Sequence, residues 1–100
     1  MKNQNLIKHL CTSYFNHKIR NYKKQDHEAK RDISKDNYVN SDWFYNNMES
    51  RCGGCGNGFF LSFRDGNAFT NMTAQRKDNS QSHHLENIVP FCIHCNCSAK

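Results

Sequence analysis

The sequence has few aliphatic residues and no long hydrophobic run. Leu, Ile, Val and Phe together supply 18 of the 100 residues, which is below the roughly 20% at which chains tend toward disorder. No apolar run approaches the ~20 residues of a membrane helix, which excludes an integral membrane protein. The residues after Met1 lack the apolar stretch of a secretory signal. We therefore expect an intracellular protein, cytoplasmic or nuclear, with no membrane partner.

Acidic residues are scarce in the first third of the chain. Residues 1–31 contain eight Lys and Arg but only Asp26 and Glu28, whereas the remainder contains six basic and seven acidic residues. The whole basic excess therefore lies in the first third. This asymmetry indicates a segment that faces a polyanion, although a solvated helix face would give the same pattern.

Residues 4–25 are predicted to form an amphipathic helix. Apolar side chains recur at spacings of three and four, which is the period of one helix face. The residues of this stripe are Leu6, Ile7, Leu10, Cys11, Tyr14, Phe15, Ile19 and Tyr22. The basic residues that lie mostly off the stripe, and are candidates for nucleic-acid contacts, are Lys18, Arg20, Lys23 and Lys24. Residues 25–37 are polar and unpatterned, and we expect a loop or a frayed helix end there. The first unit is thus a basic helical arm with its loop, residues 1–37, and the second is residues 38–100.

The second unit has the patterns of short elements. Ser41 is a candidate N-cap for a helix over residues 42–50. Residues 59–63 and 68–73 are predicted to be two strands joined by a tight turn. A very short helix can follow the last cysteines. The fold class that results is a small α+β domain.

Six cysteines include two Cys-x-x-Cys pairs, Cys52/Cys55 and Cys92/Cys95, which are separated by 36 residues. Each pair can aim two thiolates at one ion, and two pairs complete the four-sulfur tetrahedron that zinc favours. Disulfides or a redox pair are the alternative, but no thioredoxin-like pattern surrounds either motif. We therefore predict structural zinc, because four cysteines leave no open position for water.

Two further cysteines and one histidine lie near these patterns. Cys11 is on the apolar stripe and is predicted to be a packed thiol. Cys97 and His94 are alternative metal ligands, and His94 is otherwise a surface residue.

The stretch from residue 73 to residue 96 resembles the zinc-stabilised HNH (ββα-metal) endonucleases. It is most similar to a branch frequent in viral and phage proteins, whose pattern is Asp-Arg-Ile-Asp-Asn, Gly-His, Asn and Cys-x-x-Cys-Asn. The residues that match it without a gap are Arg76, Asp78, Asn79, His83, Asn87, Cys92, Cys95 and Asn96. The resemblance covers residues 38–100 and implies a treble-clef or ββα hairpin beside a DNA phosphate.

In active members of this family an Asp binds Mg²⁺ or a similar ion and the next His deprotonates the attacking water. This chain has Gln75 and Arg76 at those two positions. An amide is a weak ligand, and arginine does not lose its proton, although it can clamp a phosphate. Asn87 matches the Asn that orients the base, and Asn96 matches the last metal ligand, so the resemblance still implies a possible Mg²⁺ or Mn²⁺ site.

A relocated site is conceivable. Asp78 can take over metal binding, and His83 or His84 can act as the base. The simpler interpretation is that Asp78 and Asn79 form a turn, that His83 stabilises a loop through a hydrogen bond, and that His84 is a surface residue.

Three functions follow from these observations. The first is an HNH endonuclease that hydrolyses DNA, with Arg76, Asp78, His83, Asn87 and Asn96 as its site. The second is an inactive HNH-like zinc module that only binds nucleic acid, DNA rather than RNA. The third is a protein-interaction adaptor with an exposed aromatic surface, for which the candidates are Tyr14, Tyr22 and Trp43.

Overall fold

The computed structural model describes residues 2–34, 36–65 and 67–98, with side chains from residue 11 onward and without that of residue 67. Within these residues, two helices are followed by three strands, and a 3-10 turn, a fourth strand and a third helix come after them. They are α1 (Lys2–Glu28), α2 (Ser41–Asn47), β1 (Leu61–Arg64), β2 (Asn67–Thr70), β3 (Met72–Arg76), a 3-10 turn (Leu85–Asn87), β4 (Ile88–Cys92) and α3 (Ile93–Ser98). The predicted α+β class is confirmed.

Two antiparallel hairpins form two separate small sheets. β1 pairs with β2 from Leu61 opposite Thr70 to Arg64 opposite Asn67, and β3 pairs with β4. The prediction of one strand over residues 68–73 was wrong, because the chain changes sheet at Asn71. The backbone oxygen of Asn71 accepts a hydrogen bond from the Ile93 N–H, at the start of α3, rather than from a strand.

The β3–β4 hairpin has Met72 opposite Cys92 at one end and Arg76 opposite Ile88 at the other. Pro90, which cannot donate a backbone hydrogen bond, lies on β4 at the edge of this two-stranded sheet. The strand patterns of the sequence did not predict this hairpin, whereas the resemblance to the HNH family implies a ββα hairpin in this part of the chain. Its strands enclose the loop of residues 77–87, which belongs to the stretch that resembles the HNH family.

From residue 11 onward, the apolar stripe of α1 lies in the core, as predicted. Cys11 and Phe15 are fully buried and Tyr22 nearly so, while the side chains of Leu6, Ile7 and Leu10 lie outside those described. The Phe15 ring stacks on Phe44 of α2 with ring centroids 4.6 Å apart. The helix assigned to the basic arm therefore packs into the same core as the rest of the chain.

The aromatic residues considered for an adaptor surface contribute to this core. The Tyr14 hydroxyl donates to the Thr70 carbonyl at 2.8 Å, and the Tyr22 hydroxyl accepts from the Ala74 N–H at 3.1 Å. Trp43 packs edge-on against the buried Phe44. Tyr14 and Tyr22 thus link α1 to the two sheets, and the three side chains do not form an exposed aromatic surface.

In the structure, both predicted helices have ends that differ from the predicted ones. α1 continues three residues beyond residue 25 and ends with Lys30 in the left-handed conformation, at φ 60°. The Arg31 N–H then bonds the Asp26 carbonyl at 2.8 Å, and the Lys30 N–H bonds His27, which together form a Schellman motif. The N-cap of α2 is Asn40, not Ser41, because the Asn40 side chain accepts from the Trp43 N–H.

None of the helices in the described ranges combines the length and the apolar character that crossing a membrane requires.

Candidate metal centre and basic cleft

The two predicted Cys-x-x-Cys pairs meet at one point. Cys52 and Cys55 lie in the turn before β1, Cys92 ends β4 and Cys95 lies in α3. Their four Sγ atoms all lie within 4.8 Å of one another, so this cluster can hold a metal ion. All six cysteines are free thiols, and neither Cys97 nor His94 belongs to the cluster.

Backbone N–H groups converge on the sulfur of Cys52. The Gly54 and Cys92 N–H groups donate to it at 3.3 and 3.2 Å. Burial alone would raise the pKa of the Cys52 thiol, but these donors and the Cys55 N–H lower it to about 6. The pKa of Cys95 rises to about 12, chiefly through its contact with the Cys92 thiol. A cation at the centre would let all four sulfurs ionise together.

The first turn approaches α3 so closely that it needs glycine. A Cβ on Gly54 would lie 2.9 Å from the Cβ of Cys95, and a Cβ on Gly53 would lie 2.8 Å from the Phe91 ring. Cys11 is fully buried, and burial raises the pKa of its thiol, as expected for a packed cysteine.

A cleft of about 920 Å³ lies between α1, β3 and α3. α1 contributes residues at helical spacing, and β3 contributes four consecutive residues. The lining residues are Lys18, Tyr22, Gln25, Glu28, Ala29, Arg31, Thr73, Ala74, Gln75, Arg76, Asn79, His83, Ile93, Asn96 and Cys97. The cleft therefore joins Arg76, His83 and Asn96 of the predicted site to Lys18 of the basic helix.

His83 is held in the cleft wall by Asp26. The Nδ1 atom of His83 lies 2.9 Å from Asp26 Oδ2, its backbone N–H donates to the same oxygen at 3.1 Å, and its ring stacks on Tyr22 at 4.2 Å. Burial lowers the pKa of His83 below 6.5, although Asp26 opposes that shift. The neutral ring therefore donates from Nδ1 to the carboxylate and leaves Nε2 as an acceptor.

Asp26 is fully buried and bonds three side chains. Its Oδ2 also accepts from the Tyr38 hydroxyl at 2.6 Å, and its Oδ1 accepts from Arg31 at 3.1 Å. Burial would raise the pKa of the Asp26 carboxyl, but the hydrogen bonds from Tyr38 and His83 outweigh it and lower the pKa below 3.8. Asp26 is thus a buried carboxylate that connects α1 to the loop before β4.

Asn87 organises the loop that carries His83. Its Oδ1 accepts from the Asp78 N–H at 2.9 Å, and its Nδ2 donates to the carbonyls of Asp78 and Ser82, both at 3.0 Å. The Asp78 carboxylate accepts from the N–H and hydroxyl of Ser80 and is exposed. Asp78 is therefore a turn former, and it does not line the cleft.

Two arginines meet at the same loop. Arg76 donates to the Asn79 carbonyl oxygen at 2.6 Å, and Arg31 donates to that same oxygen at 3.2 Å. Burial and the charge of Arg31 both lower the pKa of Arg76, which stays charged near neutral pH because a guanidinium is so basic. Two positive charges are thus fixed side by side at the edge of the cleft.

The two positions at which the family binds its catalytic ion have amide side chains. Gln75 donates to the Arg76 carbonyl at 3.3 Å, and Asn96 donates to the Thr73 hydroxyl at 3.0 Å. Both line the cleft, in which Glu28 is the one carboxylate among the described lining residues.

The four basic residues of α1 that are candidates for nucleic-acid contacts separate into two groups. Lys18 lines the cleft, and burial lowers the pKa of its amine. Arg20, Lys23 and Lys24 are exposed and do not line the cleft. The Lys23 amine lies 5.5 Å from the centre of the Tyr38 ring.

The interpretation of His84 as a surface residue was wrong. His84 is 6% exposed and pairs with Tyr38 in an isolated bridge, and its Nδ1 has no hydrogen-bond partner. The segment of residues 37–39 covers it, since the Leu85 and Val39 N–H groups bond across this contact.

Sequence reasoning missed Asp26 and Arg31. A signal for Asp26 was present, because it follows Tyr22 by four residues and so continues the buried face of α1. A carboxylate at a core position of a helix requires buried partners. Arg31 follows from it, since the left-handed turn at Lys30 brings residue 31 back over Asp26.

The chain matches no protein-family model, no curated protein and no solved structure at significant similarity. What the chain does must therefore be inferred from the chemistry of its own cysteine cluster and cleft.

Proposed function

We propose that this chain is a zinc-stabilised, HNH-like module that binds nucleic acid through the cleft between α1 and β3. One observation carries the proposal. Lys18, Arg31 and Arg76 line this cleft, against the single carboxylate of Glu28 among its described lining residues. Closely spaced fixed cations are what a phosphate backbone recruits, through electrostatic attraction and counterion release.

Zinc fits the cysteine cluster. A Zn–S bond of about 2.3 Å in a tetrahedron places its sulfurs about 3.8 Å apart, and the four Sγ atoms here lie within 4.8 Å of one another. Four thiolates fill the coordination shell, so the ion supplies folding energy rather than chemistry.

The order of elements supports the HNH-like assignment. β3 and β4 form a hairpin and α3 follows directly, which is a ββα sequence. Of the residues that carry the resemblance, Arg76 ends β3, Asn87 precedes β4, and Asn96 lies in α3.

A catalytic Mg²⁺ fits this cleft poorly. Mg²⁺ prefers carboxylate oxygens, but Gln75 and Asn96 offer amides, and the Asp78 carboxylate is engaged by Ser80. Binding is therefore the first function that we propose.

Phosphodiester hydrolysis is the second candidate, because of the pair formed by His83 and Asp26. A neutral imidazole whose Nδ1–H is held by a carboxylate has its Nε2 available as a general base. In this function Asp26 is a positioning residue and His83 takes the proton of the nucleophile.

Binding is tested by fluorescence polarisation of a labelled 20-base-pair DNA at several salt concentrations. We compare Lys18→Gln/Arg76→Gln in the cleft with Arg20→Gln/Lys24→Gln outside it, which removes the same charge from the protein surface. The cleft variant should lower the slope of log K against log[salt] by about 0.9 for each phosphate that the protein no longer neutralises. Equal effects of the two variants would contradict binding in the cleft, and no wild-type binding would contradict the proposed function. A matching RNA probe tests the preference for DNA.

Hydrolysis is tested by incubating zinc-loaded protein with supercoiled plasmid in the presence of Mg²⁺, Mn²⁺ or EDTA. The EDTA concentration is kept low enough to leave the structural zinc in place. The informative variant is His83→Asn, whose amide can still donate to Asp26 but cannot act as a base. Nicking that is lost in His83→Asn supports hydrolysis. Plasmid that is retarded but uncut supports binding alone.

A further inference from the structure

Arg31 and Arg76 form a pair of like charges at the edge of the cleft. Arg31 comes from the end of α1 and Arg76 from the end of β3, yet both guanidinium groups donate to the Asn79 carbonyl oxygen, at 3.2 and 2.6 Å. Two like charges that share one neutral acceptor repel each other, and a carbonyl oxygen carries only a partial charge to offset this. A stable core gains little from such a pair.

Both arginines are held in place by hydrogen bonds to groups that are themselves fixed. Asp26, fully buried, accepts from the Arg31 guanidinium at 3.1 Å. Asn79, which receives both arginines, lies in the turn that Asn87 and Asp78 fix through their hydrogen bonds. The arginine pair is thus preorganised, which reduces the entropy that a ligand must overcome on binding.

The side of the pair that faces the cleft is where an anion would sit. Arg31, Arg76 and Asn79 all line the cleft, together with His83 and Lys18. The Arg31 side chain is 19% exposed, so a bound anion would be partly shielded from water. An anion there would take over the hydrogen bonds that the two guanidinium groups now make to a weaker acceptor.

From this geometry we propose that Arg31 and Arg76 together bind one phosphate group of the nucleic-acid backbone. The proposal rests on the proposed function and adds to it the residues that hold one particular phosphate. The planar fork of arginine matches the geometry of phosphate oxygens, and two forks can hold one phosphate from two sides. Arg31 lies outside the stretch that resembles the HNH family, so the resemblance does not assign it this role.

The experiment uses the full, zinc-loaded chain and the labelled 20-base-pair DNA. It measures affinity and salt slope for the wild type, Arg31→Gln, Arg76→Gln and the double variant. If one phosphate is shared, each single variant should lower the salt slope by about 0.9, and the double variant should lower it no further. The affinity loss of the double variant should then be smaller than the product of the two single losses. Each single loss should be about 5- to 30-fold, the range of about 1–2 kcal/mol.

Two more variants keep the test decisive. Arg31→Lys keeps a positive charge near Asp26 but loses the fork, and it should still weaken binding severalfold while the melting temperature and zinc content stay close to wild type. Arg64→Gln removes an exposed charge of β1 outside the cleft and should leave the slope nearly unchanged.

Three outcomes would overturn the proposal, and they are distinguishable. A slope that falls by about 1.8 in the double variant, with multiplicative losses, means two separate phosphates. Unchanged binding in folded single variants means that the pair does not touch the backbone, while the proposed function survives. Absence of DNA binding by the wild type removes the proposed function itself.

Discussion

Asp26 bonds both the ring and the backbone of His83, a residue 57 positions later in the chain. This buried contact joins the basic helix to the loop of the β3–β4 hairpin. One carboxylate therefore sets the tautomer of His83 and, through its other oxygen, the position of Arg31. This contact therefore joins the two units predicted from the sequence, residues 1–37 and 38–100.

We expect Asp26→Asn to destabilise the protein strongly. The asparagine side chain would lack the negative charge that faces His83 and Arg31. Its own N–H groups would also face hydrogen-bond donors instead of acceptors. Removal of one partner from a buried ion pair costs about 3–5 kcal/mol. The measurement is urea unfolding of the zinc-loaded protein.

Asp36→Asn is the matched control for this prediction, since Asp36 is exposed. Surface substitutions of this kind usually change stability by less than about 0.5 kcal/mol. A similar small effect for Asp26→Asn would mean that the buried network contributes little to folding.

The stability should fall as the pH is lowered below 6.5. Burial lowers the pKa of His83 in the folded protein below its ordinary 6.5, so the unfolded chain takes up the proton first and acid favours unfolding. This contribution is fully present above pH 6.5 and is lost as the pH falls through the folded pKa. The lowered pKa of Asp26 acts in the same direction below 3.8.

His83→Asn isolates this effect, because the asparagine can donate to Asp26 and does not titrate. The free energy of unfolding of the variant should decrease less than that of the wild type between pH 7 and pH 5. Protonation of the cysteines lowers metal affinity equally in both proteins. Parallel curves would show that His83 does not contribute to the pH dependence.

What the sequence could predict was set by local spacing. The Cys-x-x-Cys turns and the stripe of α1 are local patterns, and the clustering of the cysteines and the burial of Phe15 were foreseen from them. The separation of β2 from β3 at Asn71 depends on a bond to Ile93, which no local pattern contains.

The contents of the cleft could be predicted only in part. Arg76, His83 and Asn96 were found through the spacing of the resemblance, and the cleft brings them together. Asp26 and Arg31 were missed because their partners lie far away in the chain. The burial of His84 was missed for the same reason, since residues 37–39 cover it.

Lys30→Gly should stabilise the end of α1. Lys30 adopts φ 60°, a left-handed conformation that costs an L-residue about 1–2 kcal/mol and glycine almost nothing. Part of this gain is lost to the greater freedom of glycine in the unfolded chain. We expect Lys30→Gly to be about 1 kcal/mol more stable than Lys30→Ala, which removes the same side chain and charge. Thermal and urea unfolding provide the comparison, and equal stabilities would contradict the Schellman assignment.

Removal of the proposed zinc should unfold much of the chain. Structural zinc contributes about 10–16 kcal/mol of apparent binding free energy in small domains, and the core here is small. Cys52→Ser should lower the bound zinc well below one ion per chain and should lower the melting temperature. Cys97→Ser is the control, because Cys97 is exposed and lies outside the cluster. Zinc content by atomic absorption and circular dichroism with added chelator are the measurements, and equal zinc in the two variants would contradict the four-cysteine assignment.

Gly54→Ala should weaken the metal centre without touching a ligand. The new Cβ would lie 2.9 Å from the Cβ of Cys95 and 3.0 Å from its sulfur. In the metal-bound protein that sulfur is fixed at about 2.3 Å from the ion, so it cannot move away without lengthening a bond. We expect an overpacking cost of about 1–3 kcal/mol, seen as a zinc affinity about 5- to 150-fold lower in competition with a chelator. Gly58→Ala is the matched control, because a Cβ at Gly58 meets nothing within 4 Å. An unchanged zinc affinity in Gly54→Ala would mean that the turn can move away from α3, and the close approach of the two cysteine pairs would then not require glycine.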